Sequence, residues 1–172
     1  MIALITGGSG SGKSAYAEKL ALSQPCSERI YLATMQNWGD DETKARIARH
    51  RAMRKDKGFD TVEQPSDLQP DRIPEGACVL LEDLPNLLAN EMFGGGDVNR
   101  ILPALETLMA RRASLIIVTD DISRDGNSYE MSTMAYLRSL DLMTAHLADR
   151  ADLVAEVVCG IPIPVKGELP CV

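Results

Sequence analysis

The chain alternates short, wholly apolar runs with longer stretches in which apolar residues recur at helical spacing. Apolar runs bounded by turn residues read as buried strands, and a period near 3.6 reads as helix. Ile2–Thr6 is the first run and stops at Gly7-Gly8. Ser14–Ser23 follows as a helix carrying Ala15, Ala17, Leu20 and Ala21, and Arg29–Thr34 is a second strand. Residues 40–57 have a helical pattern with Gly58 placed to cap its end. Phe59–Glu63 reads as a short strand, and residues 65–76, with Pro65, Pro70 and Pro74, as a loop. Cys78–Leu81 is a strand ending in Glu82-Asp83, and Leu84–Phe93 is a helix broken by Gly94-Gly95-Gly96. A helix over 98–112, the very apolar strand Leu115–Thr119 and a helix over 128–149 come next. Leu153–Val158 and Ile161–Val165 close the chain as strands split at Gly160.

Strands alternating with helices predict an α/β protein: a mostly parallel sheet covered by helices on both faces. The last two strands are too close together for a crossover, so one edge is expected to be an antiparallel hairpin. The 172 residues suit a single domain spanning 1–172.

The turn after the first strand changes this from a fold to a chemistry. Gly7-Gly8-Ser9-Gly10-Ser11-Gly12-Lys13-Ser14 matches G-x-x-x-x-G-K-[ST] in full, directly between a strand and a helix. Glycines let the backbone wrap closely enough for its N–H groups to point at phosphate oxygens, and the helix N-terminus adds partial positive charge. Lys13 is expected to reach the β/γ-phosphates and Ser14 to ligate Mg²⁺. These are the signs of a P-loop that binds a nucleoside triphosphate.

In open α/β sheets ligands bind beyond the carboxyl ends of the strands. Thr34, Glu82-Asp83 and Thr119-Asp120-Asp121 occupy those ends. Glu82 is expected to act catalytically and, with Asp83, to hold Mg²⁺, directly or through water. Asp83 also suits a helix cap, and Asp120 and Asp121 read as turn residues. Thr34 is a candidate nucleotide contact.

The helix over 40–57 opens with Asp40-Asp41-Glu42 and carries Lys44, Arg46, Arg49, His50, Arg51 and Arg54. Arg46, His50 and Arg54 are spaced i, i+4, i+8 and share one face. A solvated charged surface accounts for the pattern. So does a polyphosphate site, in which neighbouring cations keep His50 neutral and nucleophilic while Arg46 and Arg54 hold an anion against it. His146 has no such company and reads as structural.

Charge and composition narrow the partners. Acidic residues number 25 against 18 basic, a net charge of −7, which disfavours general nucleic-acid binding. No apolar run reaches the roughly 18 residues of a membrane span, and no secretory leader is expected. Cys26, Cys78, Cys159 and Cys171 show no C-x-x-C pairing, so scattered thiols in a reducing cytoplasm are expected.

Taken together, Gly-Gly-x-x-Ser-Gly-Lys-Ser at 7–14, Tyr-Leu-Ala-Thr at 31–34, Asp-Asp-Glu at 40–42 and Arg-Ile-x-x-His at 46–50 form a specific series. Leu-Leu-Glu at 80–82, Asn90-x-x-Phe93 and Ile-Val-Thr at 117–119 extend it over most of the chain. The series resembles the bifunctional adenosylcobinamide kinase / adenosylcobinamide-phosphate guanylyltransferase family of cobalamin biosynthesis. The resemblance implies a RecA-like P-loop NTPase fold and a homotrimer with active sites near subunit interfaces. It implies GTP (or ATP) as nucleotide, a corrinoid acceptor, and His50 as the nucleophile that takes GMP in a phosphoramidate. One segment departs from the family pattern. After Val118-Thr119, where the family usually has Asn-Glu-Val-Gly, this chain has Asp120-Asp121-Ile122-Ser123, and Asp83 stands where the family commonly has Cys. The segment 120–127 is therefore expected to set acceptor choice rather than nucleotide binding. A related kinase for another small alcohol, or a nucleotide-binding regulatory module, are the competing readings.

Overall fold

A computed structural model of the chain describes residues 1–36, 57–111, 114–122 and 129–171. Within them the strands are β1 (Ile2–Thr6), β2 (Arg29–Ala33), β3 (Asp60–Glu63), β4 (Cys78–Glu82), β5 (Ser114–Val118), β6 (Leu153–Val158) and β7 (Ile161–Lys166). The helices are α1 (Lys13–Ser23), α2 (Leu84–Phe93), α3 (Ile101–Arg111) and α4 (Met131–Arg150). The strands form one sheet in the order β3-β2-β4-β5-β1-β6-β7. Every pairing is parallel except β6 with β7. The helix expected over 40–57 lies outside the described residues.

The inner strands β1, β4 and β5 are apolar on both sides because both faces are covered. Alternate residues divide cleanly between them. Ala3, Ile5, Leu80, Ile116 and Val118 pack under Tyr16, Ala17, Leu20 and Ala21 of α1. Leu4, Leu32, Val79, Leu81 and Ile117 face the opposite way, toward Leu84, Leu87, Leu88, Leu105, Leu108, Leu140 and Leu147 of the other three helices. The helix expected over 98–112 starts a turn later than the pattern suggests. Residues Val98–Arg100 form a 3₁₀ turn, with the Asp97 carboxylate accepting from the Asn99 N–H at 3.0 Å, and α3 proper begins at Ile101.

Registers such as Ile5↔Val118 and Ala33↔Glu82 bring the carboxyl ends of β1, β2, β4 and β5 to one edge of the sheet. The glycine loop, Thr34, Glu82-Asp83 and Thr119-Asp120 all emerge there.

The two-residue turn between β6 and β7 has both residues at positive φ, Cys159 at 49° and Gly160 at 81°, as a type I′ hairpin needs. This turn meets the glycine loop. The Gly160 N–H donates to Ser11 O at 2.7 Å. Gly12, itself at φ 93°, lies so close that a Cβ on it would sit 3.1 Å from the Gly160 Cα. β7 is an outer edge strand, with Pro162 and Pro164 at alternate positions and Ile161, Ile163 and Val165 exposed between them.

Cys159 is the strained member of that turn, since left-handed backbone suits Asn better than most side chains. Cys159→Asn is expected to raise unfolding stability by on the order of 0.5–1 kcal/mol, read by urea denaturation. A Cys159→Val chain should lose stability instead.

Candidate active site

The loop at 7–14 is held open by contacts that need no ligand. Ser11 N–H donates to Gly8 O at 3.2 Å, and Tyr16 N–H to Gly12 O at 3.0 Å. A Cβ on Gly7 would stand 2.6 Å from the Val157 carbonyl oxygen and 2.7 Å from Ser11 Oγ, so no other residue fits there without movement. Gly8, Ser9 and Gly10 are exposed at the tip, and Lys13 and Ser14 are half-buried at the start of α1. Lys13 is turned back across the loop. Its ammonium donates to Gly8 O at 3.3 Å and pairs with Asp120 Oδ1 at 2.7 Å, leaving the side chain 12% exposed. Asp120, read from sequence as a turn residue, thus belongs to the phosphate site itself, and the Asp121 N–H reaches Gly7 O at 3.4 Å. No sequence period marks this pair. Only the adjacency of β1 and β5 brings 13 and 120 together.

The carboxylate end of β4 is built just as deliberately. Tyr31, on the neighbouring strand, donates its hydroxyl to Glu82 Oε2 at 2.7 Å. Thr34 is buried, and its hydroxyl both donates to Asp83 O (2.8 Å) and accepts from Asp83 N–H (2.7 Å). These two bonds tie the Thr34 hydroxyl to the backbone of Asp83 at the strand end where a nucleotide contact is expected of it. Asn90 in turn donates to Thr34 O at 2.8 Å and Pro65 O at 2.7 Å. The Glu82–Asp83 peptide is cis.

Asp83 Oδ1 accepts from the Asn86 N–H at 2.7 Å and caps α2. Burial pushes its carboxyl up from 3.8 to about 6; the cap bond and Lys13 oppose this, and the charges of Asp120 and Glu82 add to it. Tyr136 of α4 closes the side of the site, donating to Pro85 O at 3.2 Å and lying with its ring centroid 6.0 Å from that of Phe93. Burial pushes its phenol to about 12, and the charges of Asp83 and Asp120 add to this. Nothing in the helical pattern singled Tyr136 out. His146 instead meets Glu106 at 3.0 Å, beside Arg150, which fits the structural role expected of it. His50, Arg46 and Arg54 lie outside the described residues.

Ser14, Glu82 and Asp83 supply hydroxyl and carboxylate oxygens, the donors Mg²⁺ prefers. Among the described residues no cluster of three or more His, Cys, Asp or Glu side chains could hold a metal alone. A donor set of this kind suits Mg²⁺ that arrives with a triphosphate and completes its shell with phosphate and water.

Residues 3–165 match the cobinamide kinase / cobinamide phosphate guanyltransferase family. The chain belongs to that family. It is 32% identical to the bifunctional adenosylcobalamin biosynthesis protein CobP of Pseudomonas aeruginosa, across 96% of this chain and 97% of that one. It is 31% identical to the bifunctional adenosylcobalamin biosynthesis protein CobU of Escherichia coli, across 96% and 100%. Among solved structures it resembles the flagellar accessory protein FlaH of Methanocaldococcus jannaschii, with a TM-score of 0.47 at 10% identity, over 97% of this chain and 78% of that one. The cobinamide kinase / guanyltransferase member described here is thus a nucleotide-using transferase of cobalamin biosynthesis on a P-loop α/β sheet. Its activity is the family's pair of reactions, phosphorylation of cobinamide and guanylyl transfer to the phosphate so formed. No helix among the described residues is long and apolar enough to cross a membrane.

The raised Asp83 carboxyl has a consequence for folding. A group whose folded pKa lies above its unfolded one favours the fold most when protonated, below about pH 4, and loses that contribution as pH rises through about 6. Asp83→Asn keeps the Oδ1 acceptor for Asn86 but cannot ionise. Its stability relative to wild type should therefore grow between about pH 4 and pH 7 in paired denaturation curves; an equal offset at both ends would show that Asp83 is not destabilised by its charge.

Proposed function

We propose that residues 1–172 act as one nucleotide-binding and transferase domain whose two reactions share the glycine loop. The observation that carries this reading is Lys13, set at the mouth of a preformed loop, paired with Asp120 at 2.7 Å and near the carboxyl of Asp83, whose backbone Thr34 holds. Gly7, Gly8, Ser9, Gly10, Ser11 and Gly12 line the path of the triphosphate of GTP, or of ATP, with Lys13 against the β/γ-phosphates. Ser14, Glu82 and Asp83 would hold Mg²⁺, which when bound offsets charge on the phosphates. In the kinase step the acceptor's alcohol oxygen forms a bond to the γ-phosphorus, the bond to the β–γ bridging oxygen breaks, and nucleoside diphosphate leaves.

In the guanylyl step His50 attacks the α-phosphorus of GTP and pyrophosphate leaves, with Arg46 and Arg54 holding the anion. A phosphate oxygen of cobinamide phosphate then takes the GMP and frees the ring nitrogen. Splitting the transfer in two lets one loop serve two acceptors in turn. The family resemblance also supports a homotrimer working in the cytoplasm. A second reading, a related kinase for another small alcohol, is favoured by the segment beginning at Asp120, which departs from the family pattern where an acceptor would approach.

Incubation with labelled GTP and Mg²⁺ separates these readings. Label from the α-phosphate should stay on the protein, in a bond labile to acid and stable to base, and label from the γ-phosphate should not. His50→Asn should abolish α-labelling while phosphoryl transfer to cobinamide survives in part. Lys13→Ala should reduce phosphoryl transfer to less than about a tenth of wild type, since the Lys charge acts directly on the transferring group. No α-label in wild type at saturating GTP would leave a plain kinase or a nucleotide-binding module.

A further inference from the structure

Asp120 touches two things at once. One is the Lys13 ammonium, 2.7 Å away. The other is a cavity of about 400 Å³ between β1, β6, β7 and α4. Thr6, Asp120, Asp121, Asp141, Thr144 and Glu156 line its polar side. Four of those six are carboxylates, so the cavity repels the phosphates of a nucleotide and suits a neutral or cationic group instead. Its volume takes the alcohol-bearing arm of a large acceptor, not a macrocycle.

Lys13 cannot serve Asp120 and a triphosphate equally. An arriving phosphate carries more charge than one carboxylate and meets the ammonium together with the loop N–H groups. Asp120 is then released beside the phosphate that has displaced it, still at the edge of the cavity. A carboxylate there is within reach of a hydroxyl presented from the cavity toward the γ-phosphorus.

We infer that Asp120 is a further catalytic residue of the phosphoryl transfer: exchanged off Lys13 by the incoming triphosphate, it accepts the proton of the acceptor alcohol entering through the acidic cavity. This deepens the kinase reading above and rests on it. The alcohol O–H bond breaks with its proton passing to Asp120, the oxygen bonds to the γ-phosphorus, and nucleoside diphosphate departs. Asp120 returns the proton to water and Lys13 to itself when the nucleotide leaves.

The test is Asp120→Asn, nearly the same in size, in the full chain. Two measurements should move in opposite directions. The turnover of phosphoryl transfer to cobinamide should fall by about 100-fold, the range of a lost general base. The Kd for GTP, read by titration calorimetry with no acceptor present, should tighten by about fivefold, because Lys13 is no longer neutralised and one negative charge near the phosphates is gone. Unchanged turnover overturns the proposal. So does weakened GTP binding, which would mean that Asp120 only props Lys13 in place. Asp120→Glu, which restores the charge and the proton acceptor on a longer arm, should recover part of the turnover, and no recovery would likewise count against a proton-accepting role. If the wild-type chain itself transfers no phosphate to cobinamide, the kinase reading has failed, and that outcome is distinct from a wild type that works and an Asp120→Asn chain that works as well.

Discussion

Everything at the nucleotide end depends on two stretches of backbone meeting with no side chain between them. The glycine loop and the hairpin turn of β6 and β7 touch through Gly12 and Gly160 and are tied by the Gly160 N–H to Ser11 O. A phosphate cradle is a concave ring of N–H groups, and such a ring has to be propped from behind when empty. Here the prop is the far end of the chain, so residues separated by most of the sequence cooperate to shape one anion site. Because the contact is backbone on backbone, it depends on no side-chain rotamer, which suits rigid preorganisation of charge.

The opposite wall is organised by polar side chains. Tyr31 aims Glu82, Thr34 clamps Asp83, and Asn90 holds Thr34. Each link satisfies a group that burial would otherwise leave unpaired, at a cost of about 1–3 kcal/mol apiece. Between the two walls stands Lys13, the one cation set against Asp83, Glu82 and Asp120 among the described residues of the site.

Much of this was legible in the residues. The apolar runs located the inner strands β1, β4 and β5 to within a residue, because strands buried on both faces have few polar positions to blur them. The glycine loop carried its own chemistry in its spacing. Glu82 and Asp83 were visible as acids at a strand end, where ligands gather in such sheets. What spacing cannot carry is which strand ends become neighbours. Asp120 read as a turn residue because its importance comes from Lys13, more than a hundred positions away, and from the placement of β5 beside β1. Thr34 looked like a ligand contact because it ends a strand at the right edge. Its hydroxyl also bonds the backbone of Asp83, a contact between β2 and β4 that a list of polar residues does not reveal. Tyr136 hid inside an ordinary helical period.

β7 has a further effect on how this protein coexists with copies of itself. In a strand, alternate residues send their N–H groups to the same side, and β7 is already paired inward with β6. Pro162 and Pro164 therefore remove donors from the outward side, the side on which another chain would add. The exposed Ile161, Ile163 and Val165 could otherwise make this a sticky, extensible rim. The result is a sheet that cannot polymerise through its backbone at that border. Neighbours can still meet it through side chains, which have a definite shape and a limited area.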